Sequence, residues 1–369
     1  MRDVLDDLLS WWRADVAVGM ATVTATWRSA PQQPGATMLV GPNGTVVGSV
    51  SGGCVEAAVY ELCQEVMASG QPTLVRYGVS DDDASDVGLT CGGTMELYVE
   101  RVDRAGFPDL GAIAADLAAG RPVAALTCVQ GPPEQLGQRM VLATDGRRGS
   151  LGSARLDDAA DEDGRAMLAA GRTGLLHYGV AGQRRGSGVA VLVRAYAPAA
   201  RMIVFGATDV AAAVAHIGGF LGYRVTVCDA RPVFATARRF PAADEVVVDW
   251  PHRYLAAEAA AGRVDGRTVV CVLTHDPKFD VPALQVALDL PLAYVGAMGS
   301  RRTHDERLGR LRHAGVPEAA LARLSSPIGL DLGARTAEET AVSIAAEIVA
   351  VRWGGGGARL SGTTGSLHR

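Results

Sequence analysis

The sequence lacks the long apolar run of a membrane-spanning helix and the basic excess typical of nucleic-acid-binding proteins. Its 369 residues carry a formal net charge of −5, which gives no general attraction to nucleic acid or to anionic lipid. Aromatic residues make up only 5%, so few side chains are available to stack on bases. We therefore expect neither a membrane span nor a nucleic-acid partner.

The cysteines lack the CxxC spacing of a zinc ribbon and the regular spacing of a secreted disulfide framework. There are six, at widely separated positions: Cys54, Cys63, Cys91, Cys128, Cys228 and Cys271. The acidic, amphipathic start of the chain is also unlike a signal peptide. These features together predict a cytoplasmic protein with reduced thiols.

Glycine, in contrast, is abundant, with 45 residues, and two Gly-Gly pairs stand directly beside a cysteine. The two runs are Ser51-Gly52-Gly53-Cys54 and Cys91-Gly92-Gly93. Glycine lets the backbone turn sharply and approach a ligand closely. A helix-like segment, 55–68, begins directly after the first run, and helix N-termini favour anions. Taken alone, either run is also typical of a buried structural cysteine in a tight turn.

An internal comparison favours function, because the first half of the sequence is a duplication. The same order of helix-like and strand-like runs occurs at about 5–103 and again at 110–197. Tyr77-Gly78 corresponds to Tyr178-Gly179, and Gly70 corresponds to Gly171, with the same offset of 101 residues (77 to 178, 70 to 171). We therefore predict a duplicated α+β domain over residues 1–197.

The second copy keeps the scaffold glycines but loses both cysteines. The first run aligns with Gly152-Ser153-Ala154-Arg155, and the second run aligns with Gly186-Ser187-Gly188. If the Gly-Gly-Cys elements served the fold alone, the second copy should need them too. We therefore assign a function to the cysteines of the first copy and to the glycines beside them.

Glu56 is a further candidate because it follows Cys54 closely. Its carboxylate could position a ligand or transfer a proton. Asp157 holds the same place in the second copy, so part of this signal is structural.

The second half, 198–353, alternates strand-like and helix-like runs, which predicts a Rossmann-like, doubly wound parallel sheet. Its opening has the turn Gly206-Ala207-Thr208-Asp209, and Asp229 ends the next strand. Gly206 and Asp229 are thus candidates for binding a dinucleotide such as NAD(P). Thr208 replaces the middle glycine of the usual fingerprint, so a fold that no longer binds a dinucleotide stays an alternative. Residues 354–369 are expected to form a flexible tail.

Two later loops carry residues suited to a ligand. His275-Asp276 suits an acid/base pair, or a capped turn. Gly299-Ser300 at a helix start, followed by Arg301-Arg302, suits a phosphate through backbone N–H groups and charge.

Four motifs in one order resemble the XdhC/CoxI family of accessory proteins for molybdenum hydroxylases such as xanthine dehydrogenase and carbon monoxide dehydrogenase. The resemblance spans nearly the whole chain. Its motifs are Gly48 through Glu56, Cys91-Gly92-Gly93, Tyr294 through Arg302, and Pro327 through Asp331 and on to Thr340.

The resemblance implies a chaperone, rather than a turnover catalyst, that binds molybdenum cofactor while its terminal sulfur is installed. A cysteine desulfurase and the apo-enzyme would be its partners, and a homodimer is expected. Cys54 or Cys91 would ligate molybdenum or relay sulfur, since soft thiolates suit this metal. The glycine-rich backbone would hold the pterin. The loops of the second half, including Asp331, would take the phosphate or nucleotide of the cofactor, with Arg301 and Arg302.

Two other classes of function stay open. One is an NAD(P)-dependent oxidoreductase that uses the second half, with His275 as acid/base. The other is a scaffold that binds only partner proteins, for which both cysteines would be replaceable.

Overall fold

The computed structural model describes residues 4–27, 32–78 and 93–363. The chain divides into two compact units, the first ending at Pro198 and the second running from Ala199 to Thr363. The first unit contains two five-stranded antiparallel sheets, and the second contains one six-stranded parallel sheet. No helix in these residue ranges is long and apolar enough to cross a membrane.

The first sheet has the strand order β3-β2-β1-β5-β4. Its elements are α1 Leu5–Arg13, β1 Val18–Trp27, β2 Thr37–Val40, β3 Val46–Gly48, α2 Glu56–Ser69, β4 Thr73–Gly78 and β5 Thr94–Val102. A short 3₁₀ turn, Pro42–Gly44, joins β2 and β3, which pair as an antiparallel hairpin.

The second sheet repeats this order as β8-β7-β6-β10-β9. Its elements are α3 Leu110–Ala118, β6 Val123–Gln130, β7 Arg139–Ala143, β8 Gly146–Gly149, α4 Ala154–Ala170, β9 Gly174–Gly179 and β10 Gly188–Tyr196.

The two copies have glycines at equivalent helix and strand ends, and their helices pack in the same way. Gly70 ends α2 and Gly171 ends α4, both in the left-handed conformation that favours glycine at a helix C-terminus. Gly48 and Gly149 end the equivalent strands with φ of 80° and 78°. Each helix covers one face of its own sheet through a separate apolar cluster, which in the first copy includes Val59 of α2.

The second unit has the strand order β13-β12-β11-β14-β15-β16. Its elements are β11 Arg201–Phe205, α5 Asp209–Phe220, β12 Arg224–Cys228, β13 Glu245–Val247, α6 Pro251–Ala260, β14 Val269–Val272, α7 Pro277–Asp289, β15 Tyr294–Ala297, α8 Arg301–His313, α9 Glu318–Leu321, β16 Leu324–Ser325 and α10 Ala337–Trp353.

Helices cover both faces of this sheet, and alternate residues of β11 show the two layers. Met202 and Val204 pack in one cluster, with residues of α5 and α10. Ile203 and Phe205 pack in the other, with residues of α6 and α7. Because side chains alternate across a strand, a fully buried central strand reads as a continuous apolar run.

The predicted fold class is confirmed: a duplicated α+β first part precedes a Rossmann-like doubly wound sheet. Strand β3 ends at Gly48, before the Ser51–Cys54 turn. The positive φ of Gly48 turns the chain there. Of the expected flexible tail, residues 354–363 are described and include a 3₁₀ turn, Leu360–Gly362.

Candidate functional site

The turn between β3 and α2 carries the first Gly-Gly-Cys run. Gly52 and Gly53 have φ of 80° and 122°, which L side chains rarely adopt. Both glycines are exposed, and no atom lies within 4 Å of where a Cβ would stand on either. The backbone here therefore faces open space.

Both oxygens of the Glu56 carboxylate accept hydrogen bonds from this turn. Its Oε1 accepts hydrogen bonds from the Ser49 hydroxyl at 2.6 Å and from the N–H groups of Ser51 and Gly52 at 2.9 Å each. Its Oε2 accepts from the N–H of Gly53 at 2.8 Å, from the N–H of Val55 at 3.2 Å and from the Ser51 hydroxyl. The first residue of α2 therefore folds back and gathers the turn that precedes it.

These bonds keep the Glu56 carboxylate ionised. Partial burial acts to raise its pKa, but the hydrogen bonds from the Ser49 and Ser51 side chains and from backbone N–H groups outweigh it and lower the pKa to about 2. A carboxylate held in this way is a poor proton carrier near neutral pH.

Cys54 lies within the turn and is partly exposed. Its N–H donates to the Ser51 hydroxyl at 2.9 Å, and its side chain packs beside the apolar cluster under α2. Cys91 and Gly92 lie outside the described residues. Gly93, which comes next, is buried and leads into β5.

The second copy has a simpler version of this turn. Asp157 accepts from the Ser150 hydroxyl at 2.8 Å and from the N–H of Leu151 at 2.7 Å. Helix α4 begins at Ala154, three residues before Asp157, whereas α2 begins at Glu56 itself. Arg155, which holds the place of Cys54, is therefore inside its helix.

The hairpin register refines the alignment of the second run. Gly78 pairs with Thr94 in the first copy, and Gly179 pairs with Gly188 in the second. Counted back along the chain, Cys91 corresponds to Arg185, one residue from the position that the sequence alignment gave.

The loop between β9 and β10 reaches the start of α4. A Cβ on Gly182 would stand 2.7 Å from the Leu156 amide nitrogen, so only glycine fits there. Leu156 holds the place of Val55 in the first copy. In the second copy, the loop equivalent to residues 79–93 thus packs on the turn equivalent to the Cys54 turn.

In the second unit, the first βα turn is already occupied by the protein's own groups. Asp229 is 2% exposed; it accepts from the N–H of Ala207 at 2.7 Å and pairs with the Arg231 guanidinium at 2.8 Å. Thr208 caps α5 by accepting from the N–H of Ala211 at 3.1 Å. Asp209, whose side chain is 92% exposed, places a negative charge at the same helix start.

Gly206 has a structural reason to be glycine. Its φ is 108°, and a Cβ there would stand 2.7 Å from the Thr274 side chain. The first turn and the loop after β14 therefore approach each other closely.

The His275-Asp276 pair contains a helix cap. Asp276 accepts from the N–H of Lys278 at 3.1 Å and forms an ion pair with its ammonium group at 2.9 Å. These contacts lower the pKa of Asp276. His275 is exposed beside it. The capped turn, which was one of the two alternatives that the sequence allowed, is therefore present.

The Gly299-Ser300 turn starts α8, as the sequence indicates. Ser300 accepts from the N–H of Thr303 at 3.1 Å. Arg301 is exposed, and Arg302 forms an exposed ion pair with Glu306 at 3.0 Å. Asp331 is exposed in the loop that follows β16, and this loop is tied to the end of β15 by a hydrogen bond from the N–H of Ile328 to Ala297 at 3.0 Å.

Two buried ion pairs were missed by the sequence analysis. Glu100 pairs with Arg194 at 3.1 Å and also with Arg139. Asp280 pairs with Arg307 at 3.0 Å beneath the loops after β14 and β15. In each case a charged residue interrupts an apolar pattern, which was the available signal. Within the described ranges, no three His, Cys, Asp or Glu residues are grouped as a metal site.

Comparison with known families agrees with this architecture. A model described as the XdhC and CoxI family matches residues 11–78 and 116–179, one segment in each copy. A model described as the XdhC Rossmann domain matches residues 202–348. The chain belongs to the XdhC and CoxI family.

The alignments with individual relatives cover most of this chain. It is 27% identical over 336 residues to a probable subunit of xanthine dehydrogenase from Bacillus subtilis, covering 90% of this chain and 92% of the relative. It is 27% identical over 318 residues to the molybdenum cofactor insertion chaperone PaoD of Escherichia coli, covering 86% and 78%. A crystal structure described as a xanthine dehydrogenase from Bacillus halodurans is similar with a TM-score of 0.66 and 25% identity, covering 97% of each chain.

Proposed function

We propose that this chain is a maturation factor for a molybdenum hydroxylase, which binds molybdenum cofactor as its cargo and delivers it to the apo-enzyme. Support comes from its similarity to a molybdenum cofactor insertion chaperone along 86% of its length. The structural observation that carries the proposal is the unwound Ser51–Cys54 turn. The second copy has a helix start in its place.

The proposed cargo fits the donor groups of this turn. Molybdenum cofactor brings a soft metal centre on a pterin, and soft centres accept thiolates. Cys54 would ligate the metal or relay sulfur to it, and the exposed Gly52-Gly53 backbone would lie along the pterin. Cys91, with Gly92 and Gly93, would serve the same site. The packing of Gly182 on Leu156 in the second copy supports this pairing.

The second unit, taken by itself, carries a group of residues that would suit a phosphate. Ser300 at the start of the 13-residue helix α8, with Arg301 and Arg302, offers hydroxyl, backbone N–H and positive charge. This set suits either the phosphate of molybdopterin or the pyrophosphate of a dinucleotide form. His275 and Asp331 would be further cofactor-binding residues, on loops at the same edge of the sheet.

The partners follow from the proposed role. A cysteine desulfurase would supply the sulfur, and an apo-hydroxylase of the xanthine or carbon monoxide dehydrogenase type would receive the cofactor. A homodimer and a cytoplasmic location belong to the same proposal.

The alternative of an NAD(P)-dependent oxidoreductase has less support. The carboxylate of Asp229, which would bind a ribose hydroxyl in that class, is engaged by Ala207 and Arg231. Thr208 also has a side chain where the usual fingerprint has glycine, which limits how closely a pyrophosphate could approach the turn.

A transfer experiment tests the proposal. The purified chain is loaded with molybdenum cofactor, mixed with apo-xanthine dehydrogenase, and the recovered hydroxylase activity is measured. We expect the loaded chain to restore more activity than free cofactor, and Cys54→Ser to reduce this gain. Arg155→Ser, at the equivalent position of the second copy, is the matched control and should leave the gain unchanged. Equal activity with and without the chain would refute the delivery role.

A further inference from the structure

The turn before α2 and the equivalent turn before α4 differ in how many backbone N–H groups donate to one carboxylate. Glu56 accepts from four backbone N–H groups, those of Ser51, Gly52, Gly53 and Val55. Asp157, at the same place in the second copy, accepts from one described N–H group, that of Leu151. The longer glutamate side chain spans a turn that the aspartate does not.

The remaining N–H groups of the second copy are satisfied differently. Ser153 caps α4 by accepting from the N–H of Leu156 at 3.3 Å, so the chain enters the helix there. In the first copy, Gly52 stands where Ser153 stands, and it has no side chain to cap a helix. The three residues that precede Glu56 therefore stay outside α2. Its carboxylate accepts directly from the N–H groups of Gly53 and Val55, whereas the N–H of Cys54 donates to the Ser51 hydroxyl.

We propose that Glu56 is a positioning residue, which holds Cys54 outside helix α2 in the orientation needed to meet a ligand. Glu56 restrains the turn in two ways. The carboxylate fixes the Gly52 and Gly53 backbone directly, and it fixes the Ser51 hydroxyl, which accepts from the N–H of Cys54 at 2.9 Å. Glu56 acts through these groups and does not carry a proton.

This inference rests on the proposed function only in naming Cys54 as the ligand-binding residue. The position of Cys54 itself can be measured without any cofactor, so the two ideas fail separately.

Alkylation of Cys54 by iodoacetamide, followed peptide by peptide by mass spectrometry in the full chain, is the test. In Glu56→Gln the turn loses a charge-assisted acceptor of the Gly52 and Gly53 N–H groups and of the Ser51 hydroxyl. The loosened turn leaves the partly exposed thiol more accessible, so we expect Cys54 to react on the order of tenfold faster. Cys63, which is buried within α2, should keep its slow rate.

Three comparisons make the outcome decisive. If Cys63 accelerates together with Cys54, the substitution has loosened the whole helix and the positioning role is wrong. An unchanged Cys54 rate in Glu56→Gln would overturn it as well. Asp157→Asn, the matched change in the second copy, should leave the Cys54 rate as in the wild type.

A second readout separates positioning from simple exposure. Glu56→Gln should retain less bound pterin although its thiol reacts faster, because the thiol is no longer held for a ligand. Retention equal to that of the wild type, with faster alkylation, would contradict the inference. If the wild type holds no pterin, the proposed function fails while the alkylation result still stands.

Discussion

Glu100 of β5 and Arg194 of β10 form a buried ion pair, at 3.1 Å, between the two copies of the first unit. Both side chains are almost fully buried, with 4% and 2% exposure. Arg139 pairs with the same carboxylate, and Thr22 accepts from Arg194 at 3.1 Å. Burial acts to raise the pKa of Glu100, but the two guanidinium groups outweigh it and lower the pKa.

Removing this carboxylate should strongly destabilise the first unit. Glu100→Gln leaves two buried guanidinium groups without their counter-charge, and such losses cost about 3–5 kcal/mol. Urea unfolding followed by circular dichroism measures the free energy of unfolding. Glu96→Gln, which breaks the more exposed pair with Arg76, is the control and should cost about 1 kcal/mol or less. Similar costs for the two variants would contradict the structural role of Glu100.

Acid should destabilise the first unit through Glu56 as well as through Glu100. The folded-state pKa of Glu56 is about 2, below its ordinary value of 4.5. The ionised group therefore contributes stability above pH 4.5, and this contribution is lost as the pH falls toward about 2. We expect the thermal unfolding midpoint to fall over this range, and to fall less steeply in Glu56→Gln. Parallel curves for the two proteins would show that Glu56 is not held as described.

Gly52→Ala should separate the site from the fold. The φ of 80° costs an alanine about 1 kcal/mol, and no atom lies near the added Cβ. Gly120→Ala has the same properties, with φ of 67°, at a loop after α3. We expect equal losses of stability in the two variants and loss of bound pterin in Gly52→Ala alone. Equal pterin content would argue against backbone contact at Gly52.

NAD⁺ and NADP⁺ should not bind to the first turn of the second unit. Thr208 has a side chain where a pyrophosphate needs close backbone approach, and its hydroxyl already caps helix α5. Isothermal titration calorimetry of the purified chain should show no saturable heat with either nucleotide. Tight binding that is lost in Asp229→Ala would instead support the oxidoreductase alternative.

Much of the fold follows from local sequence signals, whereas the site depends on contacts that a linear pattern does not show. Gly70 and Gly171 predict the ends of α2 and α4, because a helix C-terminus often needs a left-handed residue. The role of Glu56 depends on two glycines at positive φ, which bring the preceding donors within reach of one carboxylate.

The buried ion pairs were also beyond the reach of local patterns. Glu100 and Arg194 are 94 residues apart, and neither segment alone indicates its partner. The duplication was the strongest signal in the sequence, since it allowed each residue of the first copy to be compared with a natural variant of the same turn.

Cys54 and Cys91 are proposed to hold molybdenum cofactor through its metal centre, and the fluorescence of the pterin that it carries tests this most directly. The purified chain is oxidised after mixing with molybdenum cofactor and desalting, and its pterin content is compared with that of Cys54→Ser and Cys91→Ser. We expect pterin in the wild type and less in each variant, with Cys128→Ser, a buried cysteine of the second copy, unchanged. Equal pterin in all four proteins, or none in any, would contradict the account.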